Sequence, residues 1–495
     1  MKRNVLTALA VGAGLLVTAT PASAARDDLA RYHQQRLTWV SCADPALDAA
    51  GARCADVTVP LNYDEPRGRT ITVAVSRLRS PEPRQRRGVM LSNPGGPGGP
   101  GLRTMLQIRA SMTPQVLARY DLVGMDPRGV GRSSPVDCGW PVAFSMRSAG
   151  ADRAGFDRDV ALQADLARRC AEREGDRLAH ITTRNTARDM DVVRAALGER
   201  KISYFGRSYG TYLGAVYTQM FPDRADRVVL DSAVDPDRYG PRMFQDLGAP
   251  NEAALDDWAA WTARRDPEYH LGATGPQVRA RLQGLIDGPP VTVGGHVVDE
   301  HVVALLVFGP LTGRHQYPQI AADVRTLVDT AAGRPTPANP ALAGSLDYLL
   351  RSGPDAGGDA QSAVLCGDVA YPRDPEWYWR TIQRVRATQP VFGPLTSNIT
   401  ACAFWAAPRE RATVVRNDHP ALIVQATGDT RTVYGHGVAM HRALTGSRLV
   451  TVRDVMAHGV FGSLPNACVE GAVNTYLATG ALPKADVTCR DDAAR

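Results

Sequence analysis

The sequence predicts an α/β fold with a mostly parallel sheet and an inserted helical cap, and three observations predict it. Short apolar runs alternate with amphipathic helical patterns through the first half of the chain. The run Gly206-Arg207-Ser208-Tyr209-Gly210 stands where one apolar segment gives way to a helix. Between residues 236 and 412 strand patterns fade into proline- and glycine-rich helical sequence, punctuated by Trp258, Trp261, Trp377, Trp379 and Trp405. Strand patterns then resume. With 44% hydrophobic and 22% charged residues in 495, the chain can bury a large core.

In chain order, Thr70 to Leu78 reads as a strand and Gly88 to Leu91 as a buried one. A glycine-rich turn and a helical stretch follow, then a strand from Asp121 to Met125 that ends in Asp126-Pro127-Arg128-Gly129. The spacing of Asp189, Met190, Val193 and Leu197 predicts an amphipathic helix leading into the strand Ile202 to Phe205. Tyr212 to Phe221 continues as a helix, and Val228 to Leu230 is the next strand. Beyond the insertion, Ala421 to Ala426 and Arg448 to Val452 are strands. The expected organisation is a leader at 1–24, a core at 25–235, a helical cap at 236–412 and the rest of the core at 413–495.

The leader is read from Lys2 and Arg3, the apolar run Val5 to Val17, and the small residues Ala22-Ser23-Ala24. The run is short for a membrane span, so a cleaved signal peptide is expected, with a secreted, extracellular chain starting near Ala25 and no stable membrane association. Removing the leader takes the formal charge from +6 to about +4. Nearly all cations are arginine, and no clustered basic stripe suggests nucleic acid. The eight cysteines suit an exported chain, and none forms a C-x-x-C pair. The expectation is pairing between neighbours: 42–54, 138–170, 366–402 and 468–489.

A serine hydroxyl attacks only when a base takes its proton and a third group orients the base. The G-x-S-x-G pattern puts Ser208 on a tight strand-to-helix turn and predicts the chain order serine, acid, histidine. Asp429 follows a strand in Thr427-Gly428-Asp429-Thr430, and His458 follows the next in Met456-Ala457-His458-Gly459. Asp231, at the end of the strand after the nucleophile helix, is the competing acid. His436 and His441 read as packing or surface residues. An oxyanion hole needs two backbone N–H groups. Tyr209 supplies one, and the stretch from Asn93 to Gly101 the other. That stretch lacks the Gly-Lys-Ser/Thr ending of a phosphate loop. The segment Asp126 to Ser133 reads as a structural turn beside the site, and the Asn398-Ile399-Thr400 sequon carries no argument.

These residues resemble the secreted tripeptidyl aminopeptidases of actinobacteria, related to prolyl iminopeptidases within the α/β-hydrolase fold. The resemblance covers most of the mature chain. It is carried by Asn93 to Gly101, Asp126 to Ser133, Gly206 to Gly214, Val229 to Pro236 and Pro420 to Cys489. It implies Asp429 and His458 as acid and base, a threonine near the acid at Thr432, and Gly96 as the second oxyanion donor. The chain departs from the pattern at Pro94, where prolyl iminopeptidases usually have histidine, and at Val433, where proline is frequent. It also lacks an early cap cysteine pair around Trp261 to Leu271. Related enzymes hold the substrate's ammonium with cap carboxylates, and Asp368 in Cys366-Gly367-Asp368 is the candidate.

The implied activity is release of short peptides or single residues from free N-termini through an acyl-enzyme. Neither metal nor organic cofactor is called for, and the expected partner is a peptide or small-molecule substrate. The alternatives are an esterase, lactonase or amidase acting on a small metabolite, and a catalytically silent protein on the same scaffold.

Overall fold

The computed structural model describes residues 29–334, 336–350 and 357–490; the expected leader lies outside them. The strands are β1 (Arg53–Pro60), β2 (Thr70–Leu78), β3 (Gly88–Asn93), β4 (Tyr120–Met125), β5 (Ile202–Arg207), β6 (Ala225–Asp231), β7 (Val291–Val293), β8 (His296–Val298), β9 (Ala421–Ala426), β10 (Arg448–Arg453) and β11 (Val487–Arg490). Nine of them make one sheet in the order β1-β2-β4-β3-β5-β6-β9-β10-β11. Both ladders of β2 are antiparallel and the other six are parallel. β7 and β8 form a separate hairpin inside the insertion.

The central strands are apolar because helices cover both faces. Alternate side chains go to opposite sides. Tyr204, Val228, Leu230 and Ile423 join the cluster that holds Met190, Leu213 and Val216 of helices Thr183–Ala196 and Tyr209–Met220. Phe205, Val229, Leu422 and Val424 face the other way, onto Val473, Tyr476 and Leu477 of helix Ala467–Thr479.

The insertion between β6 and β9 carries its own apolar cluster, with Leu255, Trp258, Leu282, Tyr317 and Val324 buried at its centre. A helix from before the nucleophile also joins this cover. Phe156 of helix Arg153–Glu174 packs with Tyr378, Ile382 and Ile399 of the insertion. The four expected disulfides are all present: Cys42–Cys54, Cys138–Cys170, Cys366–Cys402 and Cys468–Cys489. Among the described residues no helix is long and apolar enough to cross a membrane.

The segment Asp126 to Ser133 is a structural device. The buried Asp126 carboxylate accepts from the amides of Gly101 (2.7 Å), Leu102 (3.1 Å) and Arg132 (2.9 Å), and so ties down the end of the glycine-rich loop. Arg128 is fully buried and grips Asp189 with Nε (2.7 Å) and Nη2 (2.6 Å). Its remaining N–H groups donate to the carbonyls of Pro60, Leu61 and His180, so the buried charge is both paired and hydrogen-bonded.

Candidate active site

Ser208 follows β5, near the middle of the sheet, and precedes helix Tyr209–Met220. Its backbone holds φ +56° and ψ −128°, a conformation that L-residues rarely adopt. The flanking glycines make the turn possible. A Cβ on Gly206 would run into the Gly210 carbonyl, and one on Gly210 would come within 2.7 Å of the Asn93 carbonyl. Ser208 N–H donates to the Asp231 carbonyl at 3.0 Å, which pins the turn to β6.

Asp429 lies in the turn after β9, with 2% of its surface exposed. Its carboxylate accepts from Arg431 N (2.7 Å), Thr432 N (3.0 Å), Thr432 Oγ1 (2.9 Å) and His458 Nδ1 (3.0 Å). Burial works against the charge. The imidazole and the two amides outweigh it and hold the carboxyl below its ordinary range. An ionised Asp429 requires Nδ1 of His458 to carry the hydrogen, which leaves Nε2 as the basic nitrogen. Ser208 Oγ and His458 are not hydrogen-bonded to each other in this structure; such contacts commonly tighten only in the substrate complex.

Asp231 is not the acid facing the imidazole. Its fully buried carboxylate accepts from Val460 N (2.9 Å) and Phe461 N (2.9 Å), the residues just beyond His458. Ser232 Oγ accepts from Gly459 N at 2.8 Å, and Arg207 Nη2 donates to the Phe461 carbonyl at 2.7 Å. The end of β6 therefore holds the nucleophile turn by its backbone and the histidine loop by its side chains. The sequence presents Asp231 as a rival acid and does not show this role. The available signal was an Asp-Ser pair at the end of the strand next to the nucleophile strand.

The glycine-rich loop leans on the nucleophile. A Cβ on Gly95 would stand 2.8 Å from Ser208 Cβ and 3.1 Å from Tyr209 N. The amide of Gly95 already donates to Asn93 Oδ1 at 3.0 Å. No acceptor takes the Gly96 amide among the described residues. Tyr209, the first residue of its helix, likewise has no acceptor within the helix. Gly96 and Tyr209 thus offer N–H groups on the two segments that meet at Ser208.

Asp368 does not fit the role of ammonium binder. It is buried, and both its oxygens are already occupied. Oδ1 accepts from Thr183 N at 2.8 Å; Oδ2 accepts from Thr183 Oγ1 and from Tyr239 OH at 3.0 Å. Burial with little nearby positive charge pushes its carboxyl up to about 7. A substrate amine would have to displace three donors to reach it. His436 is buried with Nε2 2.9 Å from Asp246, and His441 Nδ1 meets Ser447 Oγ at 2.7 Å, so both are packing residues.

The sheet order, the strained serine turn and the aspartate-histidine pair define a serine hydrolase of the α/β-hydrolase fold. Comparison with known proteins agrees and goes further. Residues 88–280 match the family model described as alpha/beta hydrolase fold, and residues 389–489 the one described as TAP-like protein. The chain is 36% identical to a tripeptidyl aminopeptidase of Streptomyces coelicolor, over 93% of this chain and 87% of that one. It is 34% identical to a carboxylesterase B of Mycobacterium tuberculosis, covering 91% and 89%. It is 28% identical to the serine protease Hip1 of the same organism, covering 92% and 91%. The chain belongs to the tripeptidyl aminopeptidase family of α/β hydrolases.

Proposed function

We propose that this protein is an exported serine aminopeptidase that releases short peptides, tripeptides among them, or single residues from free N-termini. Ser208 is the nucleophile, His458 the base and Asp429 its orienting acid. Gly96 and Tyr209 are the oxyanion donors. The observation that carries this assignment is the continuous frame from Ser208 through Asp231 to the His458 loop, ending at the His458–Asp429 bond. In this mechanism His458 Nε2 takes the hydroxyl proton as Ser208 Oγ attacks the peptide carbonyl. The two N–H groups receive the oxyanion, and the imidazolium then protonates the departing amine. Water, deprotonated by the same histidine, frees the acyl group from Ser208.

Peptides are favoured as substrates by the relatives named as a tripeptidyl aminopeptidase and a serine protease. Export is favoured by the leader-like start and by four disulfides, which belong to oxidising compartments. Purified protein should release a fluorogenic amine from unblocked di- and tripeptide substrates and not from their N-acetylated forms. Rapid turnover of short acyl esters with no peptide cleavage sinks the peptidase reading. It would support the second one, an esterase, which the carboxylesterase B relative favours. N-terminal sequencing of protein from culture supernatant tests export.

A further inference from the structure

The turn between β9 and helix Tyr434–Ala443 carries Asp429, and its residues divide their partners. Asp429 faces His458. Thr432 is held from the core, its carbonyl accepting from Gln425 Nε2 of β9 at 2.6 Å. Thr430 and Arg431 turn the other way, into the insertion. Thr430 Oγ1 donates to the Leu311 carbonyl at 2.6 Å, and the Thr430 carbonyl accepts from Asn251 Nδ2 at 2.8 Å.

Arg431 reaches further. Nη1 donates to Asn251 Oδ1 at 2.8 Å, while Nη2 donates to the carbonyls of Phe308 and, at 3.3 Å, Gly309. These carbonyls close helix Val303–Phe308, and the last carbonyls of a helix lack partners within it. The guanidinium carbon lies 3.6 Å from the Phe308 ring centroid, so its flat face is in contact as well as its edge. Asn251 is fully buried in helix Gly248–Ala263. Its Nδ2 donates also to the Leu247 carbonyl at 2.7 Å, so the network fixes which way its amide points.

The same insertion cluster meets the base loop. Met456, two residues before His458, packs against it, and Tyr317 OH stands 3.8 Å from Met456 Sδ. Val433, which follows Thr432, packs there too. The insertion therefore touches both loops that carry the catalytic pair. The Arg431 and Thr432 amides that hold the Asp429 carboxylate belong to the stretch the insertion grips, so a shift of Thr430 or Arg431 moves the acid itself. A misplacement of about 1 Å in such a frame can slow a reaction about 10²-fold.

We propose that Asn251, Thr430 and Arg431 are positioning residues, which with the end of helix Val303–Phe308 make the insertion a fixed support of the Asp429 turn and align the acid with His458. This role rests on Ser208 being the nucleophile and Asp429 the acid of the proposed function. It does not rest on the substrate being a peptide. It sets this part of the insertion apart from a cover that only shapes the substrate pocket.

The test uses the full mature chain and the variants Arg431→Met, Arg431→Lys, Asn251→Ala and the double variant Asn251→Ala, Arg431→Met. Turnover is measured on nitrophenyl butanoate, a short ester, and on an unblocked tripeptide substrate, per active site counted with a fluorophosphonate. Arg431→Met should lower kcat about 10- to 100-fold on every substrate turned over, with KM within about twofold of wild type. Fluorophosphonate labelling should slow by a similar factor. Arg431→Lys, which keeps the charge, should be faster than Arg431→Met by about threefold or more. The double variant should lie within about twofold of the slower single one, because both residues serve one clamp. Three results overturn the role: kcat per active site unchanged while the melting temperature falls, a KM rise on the peptide with butanoate untouched, or losses that multiply in the double variant. Should Arg431→Met fail to fold, Thr430→Val should still lower kcat with KM unchanged, and an unchanged kcat there overturns the role as well. Asp429→Asn is the control. If it leaves butanoate turnover intact, the catalytic assignment fails and takes the positioning role with it. A loss there with none in Arg431→Met fails the positioning role alone. The ester and the label report on the serine even if no peptide is cleaved, so failure of the peptidase reading stays distinguishable.

Discussion

At the C-terminal edge of the sheet, the buried carboxylates Asp231 and Asp429 each receive backbone N–H donors and hold another part of the site in place. In the insertion, the buried oxygens Asn398 Oδ1, Thr400 Oγ1 and Tyr371 OH have no hydrogen-bond partner among the described residues. Both regions are buried and both are polar. They differ in what they complete themselves. A network whose donors and acceptors all come from one chain fixes geometry, whereas buried oxygens left unpaired cost the fold stability. The sheet edge therefore reads as machinery, and the insertion leaves these polar groups unheld.

The largest test of that contrast is at the nucleophile. Ser208→Ala should lower kcat by about 10⁴-fold or more and abolish fluorophosphonate labelling, with the fold intact by circular dichroism. Next, Asp429→Asn should lower kcat by about 10³- to 10⁴-fold with little change in KM, because the imidazole loses its orienting acceptor. A KM effect of similar size would mean that Asp429 serves binding instead.

Asp368 sharpens the comparison, since it is a carboxylate of the insertion that is supplied with donors. Its folded value of about 7, against an ordinary 3.8, means the folded state holds the proton more tightly. The stability this contributes is fully present below the unfolded value and is lost as pH rises through the folded one. Its neighbours Tyr209, Tyr212, Tyr239 and Tyr371 stay neutral in this range, and Arg184 offsets the charge only in part. Asp368→Asn should therefore gain on wild type in thermal stability as pH goes from 5 to 8, by on the order of 3 kcal/mol. A difference that is flat with pH would show that Asp368 does not titrate there.

Asp231→Asn keeps one acceptor for the histidine loop and loses the other. It should cut kcat about 10- to 30-fold and destabilise by about 1–3 kcal/mol, since it leaves a buried amide unpaired. A loss as deep as that of Asp429→Asn would make it a partner in the chemistry, contrary to its place here. The smallest effect is on strain. Ser208→Gly should be as inactive as Ser208→Ala but more stable by about 1 kcal/mol in urea unfolding, because glycine relieves the positive φ.

Much of this was legible in the sequence. β2 and β9 run where the apolar patterns put them, and the glycine-flanked serine and the chain order of acid and base rest on local signals. β1 and β11 were not legible. β1 becomes a strand by an eight-residue antiparallel ladder with β2, and β11 is four residues long beside β10. Helix Arg153–Glu174 does not announce that it covers the insertion, because its apolar stripe looks like that of any surface helix. Asp368 misled for a related reason: a cysteine two residues away says that a loop is tethered, not which way a carboxylate faces.

What the sequence determined by itself is the order of the machinery: a nucleophile on a tight turn, then an acid after one strand and a base after the next. Hydrophobic period, glycine spacing and turn chemistry are properties of neighbours along the chain, so they can be read there. Only the tertiary structure decided that Asp231 clamps the histidine loop and that Asp368 is already occupied. Those outcomes depend on which donors reach which acceptors across more than a hundred residues of chain, and no local pattern encodes that.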